Sequence, residues 1–223
     1  MTTALVTGAT RGFGHAIATE LAATGVTVVG VGRDQLADGT EAHRLLDLHR
    51  PQILVLNAGA TPPAEPIHRQ TWETFSRNWD VDVRHVFTWL RESLLLPLAP
   101  GSVVITLSSG AALAGSPLSG GYAGAKATIR FITGYAAEES ARAGLGIRFV
   151  SVLPKLTPAT GLGASAVAAY AERQGVDLPT FLAGLGPTLT TAQVGKAITD
   201  LATDPAHEQG AYLLTPAGLA PAP

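Results

Sequence analysis

The sequence predicts an α/β protein built on a doubly wound parallel sheet, and three observations carry that expectation. Short β-branched runs punctuated by glycine alternate with longer alanine-rich stretches of helical period, the pattern of parallel strands joined by crossover helices. The strand candidates are nearly continuous in hydrophobicity, as strands covered by helices on both faces must be. The first of them runs straight into a glycine-rich turn followed by a helix.

Strands are expected at 4–7, 27–31, 53–56, 102–107, 148–153 and 210–214, and helices at 13–24, 40–49, 71–96, 122–142, 164–174 and 191–203. In the first helix Ala16, Ile17 and Leu21 share one face. Between the second and third strands, Asp34 to Pro51 provides only 18 residues. That is enough for one crossover helix and too few for helix, strand and helix. Ala42, Leu45, Leu46 and His49 fall at i, i+3, i+4 and i+7, and Pro51 ends the segment. The sheet is therefore expected to lack one edge strand–helix unit between residues 34 and 51. The rival reading, an edge strand at 44–48, leaves too little chain to return to Ile53. Residues 156–190, rich in Gly, Pro, Thr and Ala, follow a strand where open α/β sheets bind ligands, and they form the candidate substrate lid. A plain surface excursion with one helix at 164–174 is the alternative. With 223 residues and no internal repeat, 1–223 reads as a single domain.

Composition excludes several classes of function. A chain 46% hydrophobic and 14% charged is not disordered. A net charge of −2 from 15 basic and 17 acidic residues spread along the chain gives no cationic stripe for nucleic acid. Without cysteine there are no disulfides, thiolate metal sites or cysteine nucleophiles. The six histidines (15, 43, 49, 68, 85 and 207) lack a paired ligand spacing, so they are expected in solvated or capping roles, and no metal is expected. The N-terminal segment lacks the pattern of a signal peptide, and a cytoplasmic location is expected. The apolar runs are too short to span a bilayer, and the leucine-rich stretch after Val86 is broken by Arg91 and Glu92.

The turn Thr7-Gly-Ala-Thr-Arg-Gly-Phe-Gly14 is a candidate phosphate cradle, contributed by Gly8, Thr10, Arg11, Gly12, Phe13 and Gly14. Gly8 takes angles denied to other residues, Gly12 admits a pyrophosphate, Gly14 lets helix and sheet approach, and the helix N-terminus faces the anion. Arg11 and Arg33 stand where a ribose 2′-phosphate would lie, and no acidic residue ends the second strand before Arg33. NADP(H) is thus expected over NAD(H), with Asp34 one position later as the opposing signal.

Tyr122 and Lys126 open an alanine-rich helix four residues apart, on one face. An unperturbed tyrosine titrates near pH 10, so use as an acid/base at neutral pH requires about 4 kcal/mol of help. One ammonium at about 4 Å supplies energy of that order at an effective dielectric near 20. Ser109, 13 residues before Tyr122, ends a strand where its hydroxyl can meet a carbonyl oxygen beside the phenol.

Taken together, the Thr-Gly-x-x-x-Gly-x-Gly turn at 7–14, Asn57-Ala58-Gly59, Ser109 and Tyr122-x-x-x-Lys126 resemble the ordered landmarks of the short-chain dehydrogenase/reductase family. The resemblance runs the length of the chain. It implies a Rossmann-type sheet and a short-chain NAD(P)-dependent dehydrogenase/reductase. In it Tyr122 is the proton donor, Ser109 orients the substrate oxygen, and Lys126 holds the nicotinamide ribose and tunes Tyr122. It further implies that Asn57, Ala58, Gly59 and Pro154 line the cofactor cleft, and that the helices at 71–96 and 122–142 form the interface of a homodimer or homotetramer.

Three departures bear on function. Asp82-Val-Arg-His-Val-Phe87 stands where the family has Asn-Val-x-Gly-x-Phe, which makes Asp82 the fourth member of the catalytic set. Ionised, it favours the Lys126 ammonium while weakening its field at Tyr122; protonated or hydrogen-bonded, it mimics asparagine. Lys155 replaces the glycine of the family's proline-glycine pair, either to bind an acidic substrate or to point to solvent. The short 34–51 segment removes part of the adenine pocket. The leading expectation is an NADP(H)-dependent oxidoreductase interconverting a carbonyl and a secondary alcohol, acting on a mostly apolar small molecule. The alternatives are non-redox chemistry on the same scaffold (dehydration, isomerisation or cyclisation) and a non-catalytic nucleotide-responsive binding protein.

Overall fold

A computed structural model describes residues 1–32, 35, 36 and 38–223. The chain begins with β1 (Thr3–Thr7), α1 (Gly12–Ala23), β2 (Thr27–Val31), α2 (Gly39–His49) and β3 (Ile53–Leu56). A 3₁₀ turn at Ile67–Arg69 leads into α3 (Trp72–Asn78), a π-helical turn (Trp79–Val83) and α4 (Arg84–Leu95). Then follow β4 (Val103–Leu107), α5 (Ala111–Ala114), α6 (Gly120–Arg142), β5 (Arg148–Pro154), α7 (Gly161–Gln174), α8 (Leu178–Leu185), α9 (Thr191–Thr203), β6 (Ala211–Thr215) and β7 (Gly218–Pro221).

Among the described residues seven strands form one sheet in the order β2-β1-β3-β4-β5-β6-β7; β1 to β6 are parallel, and β7 runs antiparallel to β6. Successive strand residues point to opposite faces, so each strand feeds two cores. Val6, Val55, Ile105 and Val152 pack with Ile17 of α1 and Ile198 of α9 on one side. Leu5, Leu54, Val104 and Phe149 pack with Leu46 of α2, Trp89 of α4 and Ile129 of α6 on the other. This is the Rossmann-type, helix-covered sheet that the continuous apolar strands required. The chain steps outward from β1 to β2 and then crosses back past β1 to β3. A crevice therefore opens beyond the carboxyl ends of β1 and β3, at Thr7-Gly8 and Asn57–Gly59.

α2 leads from β2 toward β3, and among the described residues no strand lies between them, as the 18-residue interval requires. β2 is consequently an edge strand, with Thr27 and Gly30 exposed. The chain entering α2 is pinned from below: the fully buried Trp89 donates its indole N–H to the Leu36 carbonyl at 3.0 Å.

Three features depart from the sequence expectation. The helix expected at 71–96 is interrupted by the π-turn, which inserts extra backbone between α3 and α4 and shifts their phase. The 156–190 segment holds two helices; Asp177 caps the second by accepting from the Thr180 N–H at 2.8 Å. β7 and α5, each of four residues, carry too little periodicity to be read. No helix among the described residues is long and apolar enough to cross a membrane.

Trp89→Phe keeps the apolar bulk of the side chain and strands the Leu36 carbonyl. Urea denaturation is expected to show a loss of about 1–3 kcal/mol; an unchanged midpoint would mean that the indole bond does not secure the shortened crossover.

Candidate active site

The crevice floor is organised by one hydroxyl. Thr7, fully buried at the end of β1, donates to the Val55 carbonyl at 3.3 Å and accepts from the N–H groups of Asn57 (2.9 Å) and Ala58 (3.1 Å). The Asn57 amide returns to the Thr7 carbonyl at 3.1 Å, so the carboxyl ends of β1 and β3 are stitched together. Gly8 and Gly12 have φ of +69° and +57°, and a Cβ on Gly14 would lie 2.2 Å from the Gly8 carbonyl oxygen. No other residue fits there. α1 then starts with no side-chain cap and no acidic residue in its first turn, which leaves its leading N–H groups facing the crevice. Thr160, at the head of α7, stands over Gly12: its Cγ2 would be 3.6 Å from a Cβ at that position.

A second cluster sits where α6 meets the π-turn. Lys126 is buried, and its ammonium lies 3.2 Å from Asp82 Oδ2, donates to the Leu107 carbonyl at 3.1 Å and lies 5.5 Å from the centroid of the Tyr122 ring. The Ser108 hydroxyl fixes the helix from outside by donating to the Lys126 carbonyl at 2.7 Å. Asp82 Oδ1 accepts from the Ala60 N–H at 2.8 Å and from the Asn78 amide at 3.4 Å. Burial opposes the Lys126 charge, but the Asp82 carboxylate and the Tyr122 oxygen outweigh it and push its pKa upward. Gly59 makes room for the carboxylate, since a Cβ there would lie 2.7 Å from Asp82 Oδ2. Ser109 follows β4, half-buried, and its hydroxyl accepts from the Ala111 N–H at 3.2 Å.

Beyond this cluster a cleft of about 310 Å³, counting its solvent-open part, lies between Thr61–Ala64, Leu118–Ser119 and the inner face of α7. None of its lining residues is charged. At its rim the Ser116 hydroxyl is bonded to Tyr170 of α7, whose ring stacks on Phe181 of α8 at 6.4 Å. The excursion carrying α7 and α8 is clasped at its base, where the Thr157 hydroxyl donates to the Leu189 carbonyl at 2.5 Å.

A family model described as enoyl-(acyl carrier protein) reductase matches residues 46–208. The chain is 30% identical over 171 residues to an uncharacterized short-chain type dehydrogenase/reductase of Sinorhizobium fredii, covering 68% of each protein. The chain belongs to the short-chain dehydrogenase/reductase family. It is accordingly an oxidoreductase of the carbonyl–alcohol class. It is also 30% identical over 166 residues to an NADPH-dependent pterin aldehyde reductase of Arabidopsis thaliana, covering 61% of this chain and 68% of that one. In fold it is similar to 3-ketoacyl-(acyl-carrier-protein) reductase from Brucella melitensis, solved with NADH, with a TM-score of 0.74 at 22% identity over 94% of both chains.

Within this dehydrogenase/reductase, the sequence-predicted residues divide clearly. Tyr122, Lys126 and Asp82 converge in one cluster, and Asp82 is the side chain of its segment that meets the lysine. Gly8, Thr10, Arg11, Gly12, Phe13 and Gly14 line the first turn with Arg11 exposed, Asn57 to Gly59 form the opposite lip, and Pro154 ends β5. Arg33 lies outside the described residues. Lys155 is exposed just past β5, its Cα 3.6 Å from where a Cβ on Gly110 would stand.

The expectation that every histidine is solvated or capping is overturned at His85, which is 1% exposed with neither ring nitrogen hydrogen-bonded. The π-turn and α4 carry it inward with Asn78 and Asp82, at i, i+4 and i+7. That helical spacing is the mark of the shared face in the sequence. Burial first, then the Lys126 ammonium, lower the His85 pKa to about 3, while the Ala58 backbone pulls weakly the other way.

Because the folded imidazole titrates far below the unfolded value near 6.5, it stabilises the fold fully above that value. This contribution is lost as pH falls from about 6.5 toward 3. His85 should therefore contribute a slope of about 1.4 kcal/mol per pH unit to the unfolding free energy in that window. Urea denaturation of His85→Leu at pH 4 to 6 is expected to show a shallower pH dependence than the parent; parallel curves would mean that the imidazole is protonated inside the fold.

Proposed function

We propose that the protein is an NADP(H)-dependent oxidoreductase that interconverts a carbonyl and a secondary alcohol, with Tyr122 as the acid/base. The convergence of Tyr122, Lys126 and Asp82 at the mouth of the β1/β3 crevice carries this reading. The Tyr122 hydroxyl delivers its proton to the substrate oxygen in reduction and takes it back in oxidation, while Ser109 hydrogen-bonds the same oxygen. Lys126 donates one of its three N–H bonds to the Leu107 carbonyl and is ion-paired with Asp82 at 3.2 Å, which leaves donor capacity for the nicotinamide ribose and the phenol.

The glycine turn fits a dinucleotide: the uncapped N–H groups at the start of α1 offer a cradle for a pyrophosphate, and Asn57, Ala58, Gly59 and Pro154 line the rest of the cleft. The bound nicotinamide supplies or accepts the hydride. The preference for NADP(H) rests on Arg11, and on Arg33 by its place in the sequence, as cationic partners for a 2′-phosphate. The naming of the Arabidopsis relative as NADPH-dependent agrees with it.

The uncharged cleft under α7 favours a mostly apolar small molecule, and residues 156–190, carrying α7 and α8, serve as its lid within a single domain. Phe87 on α4 with Phe131 and Tyr135 on α6 are exposed apolar groups on the helices through which a homodimer or homotetramer would assemble.

Calorimetric titration is expected to show NADPH binding more tightly than NADH, with the difference shrinking in Arg11→Ala; binding of neither would exclude the redox reading. In Tyr122→Phe the rate of NADPH-dependent carbonyl reduction should fall by roughly 10²–10⁴ while NADPH affinity is retained. Undiminished turnover would remove Tyr122 from the chemistry.

A further inference from the structure

The Asp82–Lys126 pair is unusual in its completeness. Both side chains are at least nine-tenths buried, and their charged atoms are 3.2 Å apart. The carboxylate accepts at Oδ1 from the Ala60 N–H and the Asn78 amide, and its Oδ2, which accepts no hydrogen bond, faces the Lys126 ammonium as an ion-pair partner. An acceptor-only group matches that environment; an asparagine would have to turn its NH₂ toward either the Ala60 N–H or the ammonium. Asp82 thus differs from an asparagine at this place in offering the ammonium a counter-charge at contact distance. The Lys126 ammonium lies 5.5 Å from the centroid of the Tyr122 ring. A cation with a counter-charge at contact distance acts on a neighbour as a dipole, whose influence falls off faster than that of a lone charge.

We propose that Asp82 sets the pH range of the reaction: as a buried counter-charge it holds Lys126 and cancels much of its field at Tyr122, so that the reduction rate holds from neutral pH upward and the oxidation rate rises only in alkaline solution. This rests on the acid/base role proposed above for Tyr122. Reduction needs the phenol with its proton, and oxidation needs it without. The other titratable groups on the surrounding elements leave this balance in place. His85 on α4 is buried and neutral, and Asp80 is hydrogen-bonded to the Ser76 hydroxyl at 3.1 Å. Tyr170 on α7 is bonded to Ser116, while Arg11 and Lys155 are exposed, where solvent screens them.

The test compares the parent, Asp82→Asn and the double variant Asp82→Asn/Lys126→Met. Each is made with and without Tyr122→Phe, so that the difference in tyrosinate ultraviolet absorbance isolates Tyr122 from the other three tyrosines. In Asp82→Asn the Tyr122 titration is expected to move down by about one pH unit or more, because the lysine now acts alone. The alkaline limb of reduction and the onset of oxidation should move with it. The double variant, which buries neither charge, should titrate close to the parent. A titration in Asp82→Asn that coincides with the parent overturns the proposal, as does a double variant displaced upward by a unit or more. Should Asp82→Asn fail to fold, the double variant decides by itself. The readouts also separate the two readings. A shifted titration without turnover leaves the charge balance standing and removes the acid/base role, whereas turnover with unmoved limbs and titration does the reverse.

Discussion

A buried ammonium is the constraint from which the rest of the site follows. Taking the charge of Lys126 out of water costs several kcal/mol, and the cost is met only if nearby groups answer it with good geometry. The answers come from three places in the chain: the Leu107 carbonyl at the end of β4, the Asp82 carboxylate in the π-turn and the Tyr122 oxygen one helical turn away. Each has its own prerequisite. Asp82 reaches inward because five residues of π-helix re-phase the chain between α3 and α4, and its carboxylate fits because residue 59 is glycine. Lys126 stays in register because Ser108 holds its carbonyl. The sheet, the interrupted helix and α6 thereby converge on one nitrogen.

The opposite side of the crevice is built by neutral hydrogen bonds rather than by charge. Thr7 uses one hydroxyl to satisfy a carbonyl and two N–H groups at the strand ends, so the floor needs no water to complete it. A rigid floor beside an uncapped helix start suits a ligand that brings its own negative charge, and the apolar cleft under α7 suits one that brings none. The two halves of the site therefore ask for chemically different ends of the ligand set.

Most of the scaffold was legible in the sequence because the signals are local. Continuous apolar strands, the 3.6-residue spacing of Ala42, Leu45 and Leu46, and the 18 residues from Asp34 to Pro51 point to the parallel sheet and, among the described residues, to a crossover without a further strand. The four-residue spacing of Tyr122 and Lys126 on one helix brings the ammonium within 5.5 Å of the phenol ring centroid for the same reason. What escaped was tertiary. The π-turn leaves no mark on hydrophobic periodicity, so 71–96 reads as one helix, and the buried face of Asn78, Asp82 and His85 is polar, so it carries no hydrophobic signal. Whether Asp82 behaves as a carboxylate or as a substitute for asparagine depends on which donors surround it, and these come from residues 60, 78 and 126, distant in sequence from one another. β7 and α5 were too short to show a period at all.

The clasp between Thr157 and Leu189 has a consequence of a different kind. It joins the two ends of the excursion that carries α7 and α8, so the sheet sees a closed loop with fixed feet. The entropy of closing such a loop grows only logarithmically with its length, about 0.6 kcal/mol per doubling. Residues can be added, removed or exchanged between the feet at small thermodynamic cost to β5 and α9, which anchor them. The scaffold thus separates two kinds of constraint: the strands are fixed by packing on both faces, while the span above the cleft can change its length without refolding what lies beneath it.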